Sequence, residues 1–214
     1  MASSSNPRAR TFAAVIAAVA AFGLIVQFYE ELLRQGSYGA TLWFLLRFFT
    51  IIANIIVMVE FGHIAFSTQP LRKAWMLAGT VLAIMLAGII NFLLLRGLRF
   101  ALTNADRLAD FLLHIATPIL APIFWLEFAK KGALRYHHAL VWAFLPIAYL
   151  IYALVRGGVE GFYPYPFIDV GKIGWAQTLI NSATIGVVFL LAGCALVWLD
   201  HFLASRRQNR SSAS

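Results

Sequence analysis

The amino-acid sequence predicts an all-α, polytopic membrane protein built as a bundle of six transmembrane helices. Of its 214 residues, 61% are hydrophobic and only 12% are charged, whereas about 25% of the residues in an ordinary soluble domain are charged. Mean hydropathy is +0.79. The apolar residues fall in continuous runs of about 20, the length that a helix needs to cross a bilayer.

Six apolar segments follow one another with short connections, so neighbouring helices are expected to be antiparallel. The predicted spans are residues 11–29, 40–66, 74–95, 108–129, 139–155 and 176–204. The first run has a rival interpretation as a cleavable signal peptide, because residues 17–21 are rich in alanine; its continuation to Phe28 favours a retained helix. We expect a disordered cytoplasmic tail over residues 1–10, a membrane domain over residues 11–204, and a basic cytoplasmic tail over residues 205–214.

The distribution of lysine and arginine predicts that both termini are cytoplasmic. Ten of these cations fall in the two tails and in the second and fourth connections, whereas six fall in the other three connections. Cytoplasmic segments carry this excess in membrane proteins. The net charge of +8 therefore reflects helix ends, and no nucleic-acid partner is expected. The single cysteine, Cys194, excludes an intramolecular disulfide.

Polar residues inside the second span are the strongest functional signal. Arg47, Thr50 and Asn54 recur at i, i+3 and i+7, which is one face of a helix. A guanidinium at the centre of a bilayer costs about 2.5–3.5 kcal/mol on insertion scales. This face is therefore expected to point into the bundle rather than towards lipid.

Other spans carry polar residues in the same, non-cytoplasmic half of the membrane. These residues are Asn91, Asp110, His114, Tyr149, Tyr152, Arg156 and Asn181. Five helices thus contribute to one predicted polar layer, which is either a functional pocket or a structural hydrogen-bond network. In the fourth span, Pro118 has no N–H to donate to the carbonyl of His114, so the helix is expected to bend there.

Two further stretches contain polar or aromatic residues. The connection over residues 161–171 is either an interfacial aromatic belt or a lid over the polar layer, with Asp169 paired to an arginine. A second polar cluster, at the cytoplasmic ends, comprises Glu60, His63, Glu127, His137, His138, Asp200 and His201. Glu60 and His63 have the Glu-x-x-His spacing of carboxylate metal sites. Only one copy occurs, so neither a metal nor another cofactor is expected.

The polar layer contains the residue types of a hydrolytic site. A threonine hydroxyl becomes a nucleophile beside a base such as histidine, and Thr50 and His114 are the candidates. Asp110 is a candidate to orient His114. The candidates for oxyanion, substrate or supporting contacts are Arg47, Asn54, Asn91, Tyr152, Arg156, Asp169 and Asn181. Two alternatives remain open: the Thr50 hydroxyl bonds the carbonyl of Leu46, or the pocket belongs to a non-enzymatic transporter or lipid- or anion-binding protein anchored by Arg47 and Arg156.

Three motifs resemble a known family. They are Phe-Phe-Thr-Ile-Ile-Ala-Asn at residues 48–54, Asp-Phe-Leu-Leu-His at residues 110–114 followed by Pro118, and the loop at residues 161–169. The chain resembles the six-span family of the androgen-induced protein and the androgen-dependent regulator of tissue factor pathway inhibitor, and especially its bacterial relatives.

The animal members of that family are threonine hydrolases of fatty acid esters of hydroxy fatty acids. The resemblance therefore implies that Thr50 is the nucleophile and His114 the general base. It implies membrane lipids as partners, a lipid ester as substrate, and a bacterial inner membrane as location. The expected substrate is an amphipathic acyl ester that enters laterally from the non-cytoplasmic leaflet. The oligomeric state is not predicted.

Overall fold

The computed structural model describes residues 6–67, 74–95 and 103–211. The α-helices are α1 (Pro7–Gln35), α2 (Tyr38–Leu45), α3 (Phe49–Phe66), α4 (Ala74–Ile90), α5 (Asn104–Phe111), α6 (Thr117–Phe128), α7 (His137–Glu160) and α8 (Val170–Ser211). A π-helical turn over Asn91–Leu95 ends α4, another over Leu112–Ala116 joins α5 to α6, and Pro166–Ile168 form a 3₁₀ turn. No β-strand occurs in these described ranges.

Six helical stretches in the described part of the chain are long and apolar enough to cross a membrane. They are Pro7–Gln35, Phe49–Phe66, Ala74–Leu95, Asn104–Phe128, His137–Glu160 and Val170–Arg206. Large apolar side chains stand exposed along them, for example Ile25, Phe144 and Val159. Exposed apolar surface of this extent requires lipid around it. The predicted fold class is confirmed, and the chain is an integral membrane protein.

Several helix ends differ from the predicted ones. Helix α1 starts at Pro7, because the Asn6 side chain accepts a hydrogen bond from the Arg8 N–H at 3.0 Å and caps it. The predicted disordered tail is therefore wrong for residues 7–10. Helix α8 continues to Ser211, so most of the predicted basic tail is helical.

The predicted membrane domain comprises two compact units, Met1–Lys130 and Lys131–Ser214. Parts of the predicted topology and tails lie outside the described residues. These parts are residues 1–5 and 212–214 of the tails and the loop cations Arg72, Lys73, Arg96 and Arg99.

In the first unit, α1 packs most extensively on α3 and also contacts α2, α5 and α6, while α4 contacts α3 and α6. Small buried residues line the packed face of α1, including Ala13, Ala20 and Gly23. Small side chains let membrane helices approach closely. The Arg10 Nε donates to the Ala65 carbonyl at 2.9 Å, so the start of α1 lies beside the end of α3. These two helices are antiparallel, as predicted for neighbouring spans.

The second unit consists mainly of α7 packed on α8, with the 3₁₀ turn also against α8. Gly157 lies so close to the ring of Tyr163 that a Cβ atom would not fit there. Tyr165 and Phe167 stack with their ring centroids 5.2 Å apart. The Asn181 side chain donates to the Phe167 carbonyl at 3.0 Å. The aromatic loop is therefore fixed to both helices of its unit.

Candidate active site

The predicted second span is broken in the middle, and this break determines where Thr50 lies. Helix α2 ends at Leu45 and α3 begins at Phe49. In between, the Arg47 N–H bonds the Phe44 carbonyl and Phe48 is extended, with φ −100° and ψ 129°. Thr50 therefore occupies the first turn of α3. The helix dipole makes this end of α3 positive.

Arg47 does not share a helical face with Thr50 and Asn54, so that part of the prediction is wrong. It lies in the turn between α2 and α3, and its guanidinium stands over the ring of Phe44 at 4.9 Å from the centroid. The sequence pattern suggested a single helix because no proline or glycine marks the break. A cation over an aromatic face is a favourable contact in a desolvated setting.

His114 lies in the π-helical turn that joins α5 to α6. Both the N–H and the hydroxyl of Thr117 bond the Leu112 carbonyl, the hydroxyl at 2.7 Å. Pro118, which follows, supplies no N–H. The interruption predicted at His114 is present, and it takes the form of one wide turn. Such turns are frequent at functional sites.

Helix α4 holds the π-helical turn through Gly88. A Cβ atom at this position would lie 2.8 Å from the Pro118 Cβ and 3.2 Å from the His114 carbonyl oxygen. Proline is rigid, so any larger side chain at Gly88 forces α4 away from the turn. The turn that carries His114 is thus fixed by backbone contact as well as by its own hydrogen bonds.

Gly88→Val is therefore expected to destabilise the folded protein by about 1–3 kcal/mol, the usual cost of overpacking. Thermal unfolding of the purified protein in detergent measures this loss. Gly62→Val in α3 is the matched control, because nothing lies within 4 Å of a Cβ atom there. Equal melting temperatures for the two variants would contradict the close approach of Gly88 to Pro118 and His114.

Thr50, His114 and Asp110 form a continuous chain of polar contacts. The Thr50 Oγ1 lies 3.1 Å from the His114 Nε2, and the His114 Nδ1 lies 2.8 Å from the Asp110 Oδ1. Thr50 is 6% exposed and the His114 side chain 8%, whereas the Asp110 side chain is 27% exposed. The chain therefore leads from a buried hydroxyl to a partly exposed carboxylate.

The hydrogen atoms available decide which atom donates in each of these two contacts. An ionised carboxylate only accepts hydrogen bonds, so the hydrogen of a neutral His114 ring belongs on Nδ1. Nε2 then accepts from the Thr50 hydroxyl. The alternative bond from that hydroxyl to the Leu46 carbonyl is absent from the described structure, in which His114 is the partner of the Thr50 hydroxyl.

Asn54 binds two backbone carbonyls at the candidate site. Its side-chain nitrogen donates to the carbonyls of Thr50, at 2.9 Å, and Leu113, at 3.2 Å. Both amide hydrogens are thereby used. The oxyanion, substrate or supporting role of Asn54 stays a prediction. Asn91 begins the π-helical turn at the end of α4, and its contact with substrate stays a prediction.

The other predicted site residues belong to the second unit and are engaged within it. The Arg156 Nε lies 2.7 Å from the Glu160 carboxylate, and its Nη1 donates to the Tyr152 hydroxyl at 2.6 Å. Asp169 pairs with Lys172 at 3.0 Å; the pairing of Asp169 with an arginine stays a prediction. The predicted polar layer is thus divided between two units.

Three residues of the second polar cluster, Glu60, Asp200 and His201, have hydrogen-bond partners in the structure. Thr80 donates to the Glu60 carboxylate. Asp200 accepts from the Leu134 N–H at 3.0 Å, and the His201 Nε2 lies 2.9 Å from the Leu134 carbonyl. Within residues 6–67, 74–95 and 103–211, no group of three or more His, Cys, Asp or Glu residues is arranged to hold a metal ion.

An ion-pair network that sequence reasoning missed holds α5 in place. Arg34, at the end of α1, pairs with Asp106 and with Glu31, the latter at 3.3 Å. Asp106 and Thr103 also cap α5 reciprocally. The Thr-x-x-Asp spacing before a helix was the available signal for this cap. The network anchors the helix that carries Asp110.

The fold and this arrangement define the chain as a polytopic helical membrane protein with a contact chain from a buried threonine through a histidine to a partly exposed aspartate. Comparison with family models, curated proteins and solved structures finds no match.

Proposed function

We propose that this protein is an intramembrane ester hydrolase in which Thr50 is the nucleophile, His114 the general base and Asp110 the residue that orients the histidine. The observation that carries the proposal is the unbroken contact chain from the Thr50 hydroxyl through both ring nitrogens of His114 to Asp110. A nucleophile within reach of a base, itself oriented by a third group, is the recurring signature of covalent hydrolysis.

Acyl transfer to the enzyme is the first half of the proposed reaction. The Thr50 Oγ attacks the ester carbonyl carbon while its proton passes to the His114 Nε2. The Asp110 carboxylate stabilises the imidazolium that forms. The oxyanion develops beside the first turn of α3, where the helix dipole favours negative charge. Collapse of the intermediate breaks the bond to the alcohol oxygen, which takes the proton from His114.

Hydrolysis of the acyl-threonine completes the cycle. Water gives its proton to the His114 Nε2 and attacks the acyl carbon, and the Thr50 Oγ leaves with that proton. The products are one alcohol and one carboxylic acid, and the enzyme is restored. Neither half requires a cofactor.

An apolar surrounding favours a lipid ester as substrate. Leu45, Ile51 and Leu113 form a buried cluster against which Phe44 and Phe48 pack. The proposed substrate is an amphipathic acyl ester, such as a fatty acid ester of a hydroxy fatty acid, entering from the non-cytoplasmic leaflet. Kinship with the androgen-induced protein family, cytoplasmic termini and a bacterial inner membrane belong to the same proposal, and they rest on short motifs and loop charges.

Labelling with a fluorophosphonate tests the proposal, because this probe bonds covalently to an activated hydroxyl. Purified wild-type protein is expected to be labelled, and Thr50→Ala is expected to lose the label. Thr41→Ala is the matched control: Thr41 is also fully buried, but its hydroxyl donates to the Ser37 carbonyl at 2.8 Å. This control should be labelled like the wild type.

Two results would overturn the proposal. Folded wild-type protein that resists small and large fluorophosphonates alike has no activated hydroxyl. Equal labelling of wild type and Thr50→Ala places the reactive hydroxyl elsewhere. Binding of a lipid or anion without chemical change would then favour a transporter or receptor.

A further inference from the structure

Asn54 connects the two backbone segments that carry Thr50 and His114. Its amide nitrogen lies 2.9 Å from the Thr50 carbonyl oxygen, in the first turn of α3, and 3.2 Å from the Leu113 carbonyl oxygen, in the π-helical turn. The residue is 0% exposed. One side chain thus joins the backbone of the proposed nucleophile to the residue next to the proposed base.

The Leu113 carbonyl needs this donor because of Pro118. In a regular α-helix its partner would be the N–H of Thr117, but that N–H bonds the Leu112 carbonyl. In the wider register of the π-helical turn the next partner would be residue 118, which is a proline without an N–H. Buried carbonyls are almost always paired. The Asn54 amide replaces the missing backbone donor.

The Asn54 side chain acts only as a donor. Its Oδ1 is buried and has no hydrogen-bond partner in the part of the chain that the structure describes. An apolar side chain of the same size would avoid the burial of that oxygen, but it would leave the Leu113 carbonyl without its donor. The two carbonyls that it binds therefore fix the place of the Asn54 side chain.

We infer that Asn54 is a positioning residue, which sets the distance between the Thr50 hydroxyl and the His114 ring by tying α3 to the π-helical turn. This inference rests on the proposed function. Asn54 acts through the two reacting side chains and touches neither reacting atom. Loss of the tie leaves both groups present but lets the segments that hold them drift apart.

The test compares Asn54→Leu with Thr178→Val. Thr178 is also fully buried, but its hydroxyl donates to the Gly174 carbonyl at 2.9 Å in the second unit, so its valine variant controls for a lost buried hydrogen bond. The rate of fluorophosphonate labelling per folded molecule is expected to fall about 10²-fold in Asn54→Leu, the cost of a displacement near 1 Å. Thr178→Val should keep the wild-type rate. In a His114→Ala background, Asn54→Leu should cause no further loss.

A second readout does not depend on reactivity. The chemical shift of the His114 Nε2 in ¹⁵N NMR reports the contact of this nitrogen with Thr50. The Thr50→Val variant gives the chemical shift in the absence of that contact. The inference predicts that Asn54→Leu moves the resonance to the same position and that Thr178→Val does not. If Asn54→Leu does not fold, Asn54→Ala takes its place.

The outcomes separate the two proposals. Wild-type labelling and a wild-type His114 resonance in the Asn54 variant would overturn the positioning role and leave the hydrolase proposal intact. A shifted resonance in a protein that no fluorophosphonate labels would overturn the hydrolase proposal, while the tie itself would stand.

Discussion

His114→Ala is expected to lower the turnover of a lipid ester by about 10³-fold or more, with no comparable loss of folded protein. The variant removes the hydrogen-bond partner of the Thr50 hydroxyl, the His114 Nε2 at 3.1 Å. A threonine hydroxyl without a base remains protonated at neutral pH and is a poor nucleophile. General acid–base catalysis typically contributes 10²–10⁴-fold, and here one histidine serves both halves of the reaction.

The measurement is the rate of acid release from a fatty acid ester in detergent or nanodiscs, normalised to folded protein by size-exclusion chromatography. The rate of acid release should fall as far in Thr50→Ala as in His114→Ala. The double variant should be no worse than either single variant, because residues that act as a unit are not additive. His201→Ala is the control, since that histidine binds the Leu134 carbonyl in the second unit. Turnover close to the wild-type rate in His114→Ala would exclude its proposed role.

The second large effect is expected from Asp110→Asn, which should reduce kcat by about 10²–10⁴-fold. An amide at this position offers hydrogen atoms as well as an oxygen, so it no longer selects the ring tautomer with the hydrogen on Nδ1. It also carries no charge to stabilise the imidazolium. Replacement of the equivalent carboxylate in serine hydrolases has an effect near the upper end of this range. KM should change little, because Asp110 does not touch the substrate in the proposed mechanism.

Asp106→Asn separates this role from a structural one. Asp106 lies one turn earlier on α5, where it pairs with Arg34 and caps the helix. Its variant is expected to melt at a lower temperature but to retain kcat per folded molecule. Equal losses of kcat in the two variants would show that Asp110 matters only for the stability of α5.

The fold class was predictable because it depends on composition and run length. A bilayer accepts only segments whose backbone bonds are satisfied internally, so long apolar runs with few charges must be helices. Each of the six predicted runs contains a helix long enough to cross a membrane in the described residues, although the second run is broken between α2 and α3. The helix ends were less predictable, since α1 begins four residues before the expected Thr11 and is capped by Asn6.

The candidate site was predictable only where its geometry is local. Asp110 and His114 are four residues apart on one helix, and that spacing brings their side chains together. The interruption at Pro118 also follows from local covalent chemistry. By contrast, the spacing of Arg47, Thr50 and Asn54 suggested a single face, and the break between α2 and α3 separates Arg47 from the other two.

The sequence by itself determined that the chain lies in a membrane, how many helices are long enough to cross it, and which residue types are available for chemistry there. These properties depend on whether the side chains of each segment are more stable in lipid or in water. Only the tertiary structure decided that the Thr50 hydroxyl meets the His114 ring, that Asn54 binds the Leu113 carbonyl, and that Arg34 anchors α5. Such contacts join residues 59 to 72 positions apart. They depend on how the surfaces of different helices fit together, as α4 does at Gly88. The spacing of apolar residues in a single segment carries no information about that fit.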